Sequence, residues 1–309
     1  MPEKVIIAGG SGMVGSHLTE LLKEEGYQVA ILSRKKSGEK NGVQYFQWNP
    51  LEGEIDQNAL ADADHIINLT GRNLNDKRWT EAFKNELYCS RVESTRFLLE
   101  KVKEQQAPVK SWANASAVGY YGFDRSEKLT EESASGDDFL ARICRDWEEE
   151  AQKISELNIR LGIFRIGVVL APEKSALQQM EMPVRYWAGA PISPGDQVVP
   201  WIHVEDLCKM LLFFLKNADV KGTFNAVAPQ PATNEELMRK IAEVEGKPMF
   251  MPTVPKFALK MLLGEAANLV TGNLNISSKK IQSAGFQFKY TEVKGALKDL
   301  LVPEKEGKA

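Results

Sequence analysis

Through the first half of the chain, short β-branched and aliphatic runs alternate with longer stretches whose apolar positions recur at helical spacing. That alternation predicts a parallel sheet with crossover helices on both faces. Val5-Ile6-Ile7-Ala8 reads as a first strand and Val29-Ala30-Ile31-Leu32 as a second, with a helix from His17 to Glu25 between them that Gly26 stops. His65-Ile66-Ile67-Asn68-Leu69 and Ser111-Trp112-Ala113-Asn114 are further strands, and Ile159 to Arg165 is another, following a helix over Phe139 to Ser155. A sheet of this kind is doubly wound. After Ile166 the texture changes: Pro172, Pro183, Pro191, Pro194 and Pro200, with Gly189, Gly195 and Asp196-Gln197, predict loops suited to forming a site. Gly222 to Val227 is one more strand, and Thr233-Asn234-Glu235-Glu236 is a capping box opening a helix that Gly246 ends. The tail turns helical from Pro255, and Ala284-Gly285-Phe286-Gln287-Phe288 reads as a loop or short strand.

Composition narrows the class. The 309 residues are 43% hydrophobic and 26% charged, enough apolar material for a real core. Lys+Arg 39 against Asp+Glu 42 leaves a net charge of −3 and a pI near 5.8, so no basic excess points to nucleic acid or anionic lipid. Cys89, Cys144 and Cys208 are odd in number and lack any C-x-x-C or Cys/His ligand spacing. That usage predicts a reducing compartment with neither disulfides nor zinc, and the cytosol as location. Met1-Pro2-Glu3-Lys4 leads straight into an apolar run too short for a signal peptide, and Met210 to Leu215 falls well short of the ~20 residues of a membrane span.

Directly after the first strand stands Gly9-Gly10-Ser11-Gly12-Met13-Val14-Gly15, where the helical stretch begins. A turn without Cβ atoms lets the backbone approach a pyrophosphate, whose charge meets the N–H groups and positive dipole of the helix N-terminus. The bland alternative is a tight strand-to-helix turn, but the strand–Gly loop–helix context favours dinucleotide binding. An acidic residue at the end of the second strand would hydrogen-bond the 2′-OH of NAD; here the chain reads Ser33-Arg34-Lys35-Lys36. A guanidinium there grips a 2′-phosphate, which favours NADP(H) over NAD(H). Lys36 is read as part of a basic surface turn.

These residues resemble the extended short-chain dehydrogenase/reductases, the NAD-dependent epimerase/dehydratase superfamily, and more closely its atypical branch of epimerase family proteins. The likeness runs through Asn68-Leu69-Thr70-Gly71, Lys77-Arg78-Trp79, Ser116-Ala117-Val118-Gly119-Tyr120-Tyr121-Gly122, Gly136-Asp137-Asp138-Phe139-Leu140, Trp147-Glu148, Trp201-Ile202-His203-Val204-Glu205-Asp206-Leu207 and the tail Leu262-Leu263-Gly264-Glu265. It implies an α/β fold: a doubly wound parallel sheet of Rossmann type over residues 1–166, completed by about 199–228. A small C-terminal α+β substrate domain would comprise 167–198 and 229–309. The implied cofactor contacts are Gly9, Gly12, Met13, Val14, Gly15, Ser33, Arg34, Lys35, Leu69, Thr70, Gly71, Glu86 and Arg91. Active members pair a Tyr-x-x-x-Lys on a helix with an upstream Ser. Aligned by Glu148, this chain carries Leu140 and Cys144 in the places of Tyr and Lys, keeps Ser116, and has Arg91 in place of a helix Asn.

That departure leaves Ser116, Tyr121 and Cys144 as candidate catalytic groups and Arg78, Trp79, Tyr120 and His203 as candidate substrate contacts. Each has a plainer reading. Ser116 caps a turn, Tyr120 and Tyr121 are packing aromatics, and Cys144 is a small buried hydrophobe rather than a thiolate near Arg142 and Arg145. Arg78-Trp79 is a structural corner, and His203 is a hydrogen-bonded scaffold residue. Arg91 reads as a fixed cation near the cofactor with Glu86, on the same helix, as its partner. Glu148-Glu149-Glu150 reads as a solvated helix face. Two functions compete: an NADP(H)-dependent oxidoreductase or epimerase acting on a nucleotide-linked or otherwise anionic small molecule, and an NADPH-binding protein without turnover. No metal is implied, neither nucleic acid nor membrane is an expected partner, and monomer and homodimer both stay open.

Overall fold

In a computed structural model that describes residues 2–302, the elements follow one another as β1 (Lys4–Ala8), α1 (Met13–Glu24), β2 (Gln28–Ser33), β3 (Gly38–Lys40), β4 (Val43–Asn49), β5 (Glu54–Ile55) and β6 (His65–Asn68). Next come α2 (Glu81–Cys89), α3 (Val92–Glu104), β7 (Ser111–Ala117), β8 (Asp124–Leu129), α4 (Phe139–Gln152), β9 (Arg160–Ile166), β10 (Val168–Leu170) and α5 (Ala176–Arg185). β11 (Val198–Val199), β12 (Trp201–His203), α6 (Val204–Lys216), β13 (Gly222–Ala226), β14 (Ala232–Thr233) and α7 (Asn234–Val244) lead into the tail. Among the described residues no helix is long and apolar enough to cross a membrane.

The chain divides into two compact units. The first takes in the residues up to Gly122, Ser135–Arg165 and Cys208–Phe224; the second takes in Phe123–Ala134, Ile166–Leu207 and the residues from Asn225 onward. The sequence reading placed 123–134 with the first domain and let 199–228 complete it. Instead 123–134 belongs to the second unit, because β8 pairs in parallel with the strand Asn273–Ile276. The segment that returns to the first unit is Cys208–Phe224.

The sheet of the first unit has the order β13-β9-β7-β6-β1-β2-β4-β3, with β5 paired to β4. β1 lies parallel to β2, with Val5 opposite Val29, and parallel to β6, with Val5 opposite His65; β6 and β7 are also parallel. β1 is buried at every position, as a strand covered on both faces must be. From β1 the chain proceeds outward to β2 and β4, then returns to the other side as β6 and β7. The strand order therefore reverses beside β1, and ligands in open α/β sheets lie at the carboxyl ends at such a reversal. Ile6, Ile66, Trp112, Leu98, Ile163 and their neighbours pack one face of this sheet.

The second unit has its own core, in which Leu170, Leu177, Val184, Trp201, Leu237, Ile241 and Leu297 are buried. β10 and β12 pair in parallel and β11 pairs antiparallel to β14. The capping box is present as read: Thr233 Oγ1 accepts from the Glu236 N–H at 3.1 Å, and the Glu236 carboxylate accepts from the Thr233 N–H at 2.8 Å. One stretch read as loop is helical, since α5 contains Pro183. Leu177, Glu181 and Val184 are buried on one side of it, so packing of that face holds the turn that proline would weaken.

Candidate functional site

The loop between β1 and α1 is built around two close approaches. Gly9 has φ +83°, and a Cβ there would stand 2.6 Å from the Leu69 carbonyl oxygen. A Cβ on Gly15 would lie 2.5 Å from Gly10 Cα, so the first helical turn rests directly on the loop backbone. Gly12 occupies the N-cap position of α1 and supplies no side-chain cap, and no acid stands in the first turn. The N–H groups at this helix end and its positive dipole thus face an exposed turn whose only side chain is the small Ser11, an arrangement that fits a pyrophosphate.

At the end of β2, Ser33 is buried and its hydroxyl accepts from the Lys35 N–H at 3.0 Å, which shapes the turn. Arg34 and Lys35 are exposed, and among the described residues neither is paired with a carboxylate. Behind the loop, Asn68 is fully buried and organises the strand ends. Its amide donates to Thr95 Oγ1 and Asn114 Oδ1, both at 2.8 Å, while its carbonyl oxygen accepts from the Thr70 hydroxyl at 2.7 Å. Trp147 Nε1 donates to the same Thr95 hydroxyl at 2.8 Å. This network ties β6, β7, α3 and α4 together and fixes the Leu69-Thr70-Gly71 turn against Gly9.

Arg91 stands under that turn. The structure breaks the expected single helix at Ser90–Arg91 into α2 and α3, so Glu86 and Arg91 are on different helices. Glu86 pairs with Arg72 at 2.5 Å and with Lys77 at 3.5 Å instead. Arg91 donates to the backbone carbonyls of Arg72 at 2.9 Å and Leu87 at 3.1 Å.

A second buried cluster closes the carboxyl ends of β7 and β9. Ser116 donates its hydroxyl hydrogen to Glu148 Oε1 at 2.6 Å. Arg165 grips the same carboxylate through two bonds, Nε to Oε1 at 2.9 Å and Nη2 to Oε2 at 2.8 Å, and its Nη1 donates to the Tyr121 hydroxyl oxygen at 2.9 Å. The guanidinium also lies 3.4 Å from the centre of the Tyr120 ring. Burial pulls the Arg165 guanidinium towards neutrality, but the hydrogen bonds and charge of Glu148, then Tyr121, outweigh it and hold it above the ordinary arginine range. Ser116, Glu148, Arg165 and Tyr121 are all buried.

Residues 5–227 match the NAD dependent epimerase/dehydratase family, and residues 254–300 match a domain of unknown function, DUF1731. The chain belongs to the NAD dependent epimerase/dehydratase family. It is 37% identical over 303 residues to epimerase family protein YfhF of Bacillus subtilis, covering 97% of this chain and 99% of that one. Among solved structures it is similar to human epimerase family protein SDR39U1 (isoform 2) with NADPH: TM-score 0.86, 30% identity, 96% of this chain and 98% of that chain. A nucleoside-diphosphate sugar epimerase from Corynebacterium glutamicum gives a TM-score of 0.78 at 31% identity, covering 97% of this chain and 58% of that one.

In this epimerase/dehydratase chain several candidate residues have surroundings other than those expected. Glu148 and Glu150 are not a solvated face: both are buried, Glu148 on Arg165 and Glu150 on Arg96 at 2.7 Å and Lys153 at 2.7 Å, leaving Glu149 exposed. Tyr121 is fully buried with its oxygen taken by Arg165, and Tyr120 lies against the same guanidinium, so both aromatics brace the ion pair. Burial, then the Glu148 charge, pushes the Cys144 thiol up to about 12, which rules out a thiolate at neutral pH. Leu140 and Cys144 both pack against Gly119, where a Cβ would lie 3.4 Å from Leu140 Cβ and 3.8 Å from Cys144 Sγ.

Arg78 is exposed, and Trp79 is a corner: its Nε1 donates to the Leu74 carbonyl at 2.9 Å and its ring meets Phe139 edge-on at 5.7 Å. His203 belongs to the second unit as scaffold. Its Nδ1 accepts from the Glu205 N–H at 3.0 Å, Nε2 faces Asp299 at 3.3 Å, and the ring stacks on Tyr290 at 3.9 Å. Arg165 and Glu148 are the residues that sequence reasoning missed. The available signal was Arg165 itself, a lone cation in the apolar run Leu161 to Val169, since a buried charge requires a partner.

Proposed function

We propose that the protein binds NADP(H) and acts as an oxidoreductase or epimerase on an anionic small molecule in a cytosolic setting. The observation that carries the cofactor choice is the turn after β2, where Arg34 and Lys35 stand exposed with no carboxylate on them and no acid occupies the place that would hold a 2′-OH. The NADPH of the human relative's structure supports the same choice. With the Gly9–Gly15 turn holding its diphosphate and Arg34 its 2′-phosphate, such a cofactor would supply or accept a hydride through its nicotinamide.

The chain's own contribution is orientation. Ser116 has committed its hydrogen to the Glu148 carboxylate, which Arg165 grips through two bonds, so the Ser116 oxygen offers lone pairs. It therefore accepts a hydrogen bond from a ligand hydroxyl or amide and is poorly placed to donate one to a carbonyl. A second reading, cofactor binding without turnover, is favoured by the state of the other candidates: Tyr121 braces Arg165 and the Cys144 thiol stays protonated.

Arg34→Asp tests the cofactor assignment. Losing a charge-assisted contact costs ~1.5–3 kcal/mol, about 10- to 150-fold in affinity. Fluorescence titration is expected to show NADPH weakened by that factor and NADH little changed; equal weakening overturns the assignment. Purified protein mixed with NADPH and a panel of nucleotide sugars and carbonyl compounds separates the two readings, because cofactor oxidation or product isomers appear only with an enzyme.

A further inference from the structure

Large exposed apolar side chains of the second unit gather in one stretch. Phe250 is 67% exposed, Phe257 69%, Met261 77% and Leu262 74%, and Met251 is half exposed. Phe257, Met261 and Leu262 belong to α8 (Lys256–Leu263), a helix in which no residue is buried. With about 3.6 residues per turn, Phe257 and Met261 share the centre of its outer face, bordered by Lys260 on one side and Leu262 on the other. The stretch continues into a neighbouring loop, since Val254 pairs with Ile192 and Phe250 stacks on Trp187 at 6.4 Å with an interplanar angle of 16°. Trp187 follows the C-cap of α5 at φ +63°, where glycine is the unstrained choice, and its indole is half exposed. Lys247 Nζ stands 4.8 Å from the centre of the same ring.

Charge separates this stretch from the rest of the chain. Between Gly246 and Gly264 stand three lysines, Lys247, Lys256 and Lys260, and no acid, although the whole chain carries −3. Among the described residues none of the three is paired with a carboxylate, and Glu245, directly before them, faces Arg185 at 3.6 Å. The whole-chain balance gives no reason to expect a lipid partner; the local one does.

The chemistry of this face narrows what covers it. A second copy meeting it about a two-fold axis would bring like lysines together, with no acid in the stretch to separate them. The centre of a protein–protein contact favours Tyr, Trp and Arg and is depleted in lysine. Lysines rimming projecting Phe, Met and Leu side chains, with an indole beside them, suit a helix lying in a bilayer interface. There the apolar side chains enter the acyl boundary while the lysine stems extend to anionic headgroups.

We propose that α8, with Trp187 and Phe250 beside it, docks the protein on an anionic lipid surface: its apolar face enters the interface, and Lys247, Lys256 and Lys260 meet lipid phosphates. The test is cosedimentation of the full chain with vesicles of phosphatidylcholine alone and of phosphatidylcholine mixed with phosphatidylglycerol, at low and high salt. Wild type is expected to bind the mixed vesicles at low salt, to bind phosphatidylcholine alone far less, and to detach as salt rises. Phe257→Ser with Met261→Ser, and separately Lys256→Gln with Lys260→Gln, are each expected to weaken binding by about tenfold or more. Both double variants replace side chains outside the core and are expected to melt like wild type.

No binding of wild type to the mixed vesicles at low salt overturns the proposal, and so does equal binding to the two kinds of vesicle or equal binding by wild type and both double variants. A wild-type dimer in analytical ultracentrifugation that Phe257→Ser with Met261→Ser dissolves, in a protein that ignores the mixed vesicles, assigns the face to a second copy and likewise overturns it. Should a variant misfold, the lipid and salt dependence of wild type decides alone.

Discussion

Glu148 and Arg165 show how one buried pair sets the behaviour of its neighbours. The bidentate contact makes both charges tolerable in the interior, orients the Ser116 hydroxyl, and occupies the Tyr121 oxygen. Glu148→Gln removes the anion and leaves Arg165 buried and uncompensated, so urea unfolding is expected to show a loss of about 3–5 kcal/mol. Ser116→Ala leaves the pair intact and is expected to cost only about 1 kcal/mol. Equal losses for the two would show that the pair is not what holds this region. His203 gives a pH prediction. Burial first, against the opposing pull of Asp299 and Glu205, lowers its pKa from 6.5 to about 4, with Lys289 also facing it. Between those values the unfolded chain binds a proton that the folded one refuses, so stability falls as pH drops from about 6.5 to 4. At about 1.4 kcal/mol per pH unit the loss is at most about 3 kcal/mol, and His203→Gln is expected to flatten that part of the stability–pH curve.

At the scale of elements, local signals and tertiary packing contribute differently. The Gly loop and α1 follow from local chemistry, and Gly15 is the contact on which they turn. Gly15→Ala would place a Cβ 2.5 Å from Gly10 Cα, backbone against backbone, with no flexible side chain to yield. Overpacking of that kind costs about 1–3 kcal/mol, and NADPH binding is expected to disappear with the loop geometry. A retained NADPH affinity in Gly15→Ala would show that the cofactor does not use this loop. In the second unit the reciprocal bonds of Thr233 and Glu236 start α7, so Thr233→Ala is expected to cost about 1 kcal/mol in thermal or urea unfolding. The α2–α3 break was not legible, because the run around Ser90 and Arg91 contains neither Gly nor Pro. Arg91 stretches to φ −115°, ψ −66° at the N-cap of α3, and its side chain reaches the Leu87 and Arg72 carbonyls.

For the whole molecule, the strand order matters most, because its reversal beside β1 brings the Gly loop, the Leu69–Gly71 turn and Ser116 to the carboxyl ends of adjoining strands of one sheet. A ligand that binds there in the folded state alone stabilises the protein by RT ln(1 + [L]/Kd), about 2.7 kcal/mol at a hundredfold excess over Kd. NADPH at that excess is accordingly expected to raise the melting temperature of wild type by several degrees. Arg34→Asp at the same NADPH concentration is expected to lose most of the rise, and no rise in wild type would contradict the proposed cofactor.

The sequence by itself determined six strands of the central sheet but not β4 at its side, and it determined the Gly loop, the capping box and the family, because each is written in spacing, in the backbone freedom of glycine, or in contacts between residues close along the chain. It placed β1, β2, β6, β7 and β9 to within a few residues for the same reason. Only the tertiary structure decided what Glu148, Glu150, Tyr121, Cys144 and Arg91 do. The identity of a charged or polar side chain does not reveal whether its partner is water or another buried group, and the partner of Glu148 lies 17 residues away on a different element. The run Glu148-Glu149-Glu150 looks uniform in sequence, yet the 3.6-residue helical turn sends its members to different surroundings. Glu148 meets a buried guanidinium, Glu150 turns to the half-exposed Arg96, and Glu149 meets solvent.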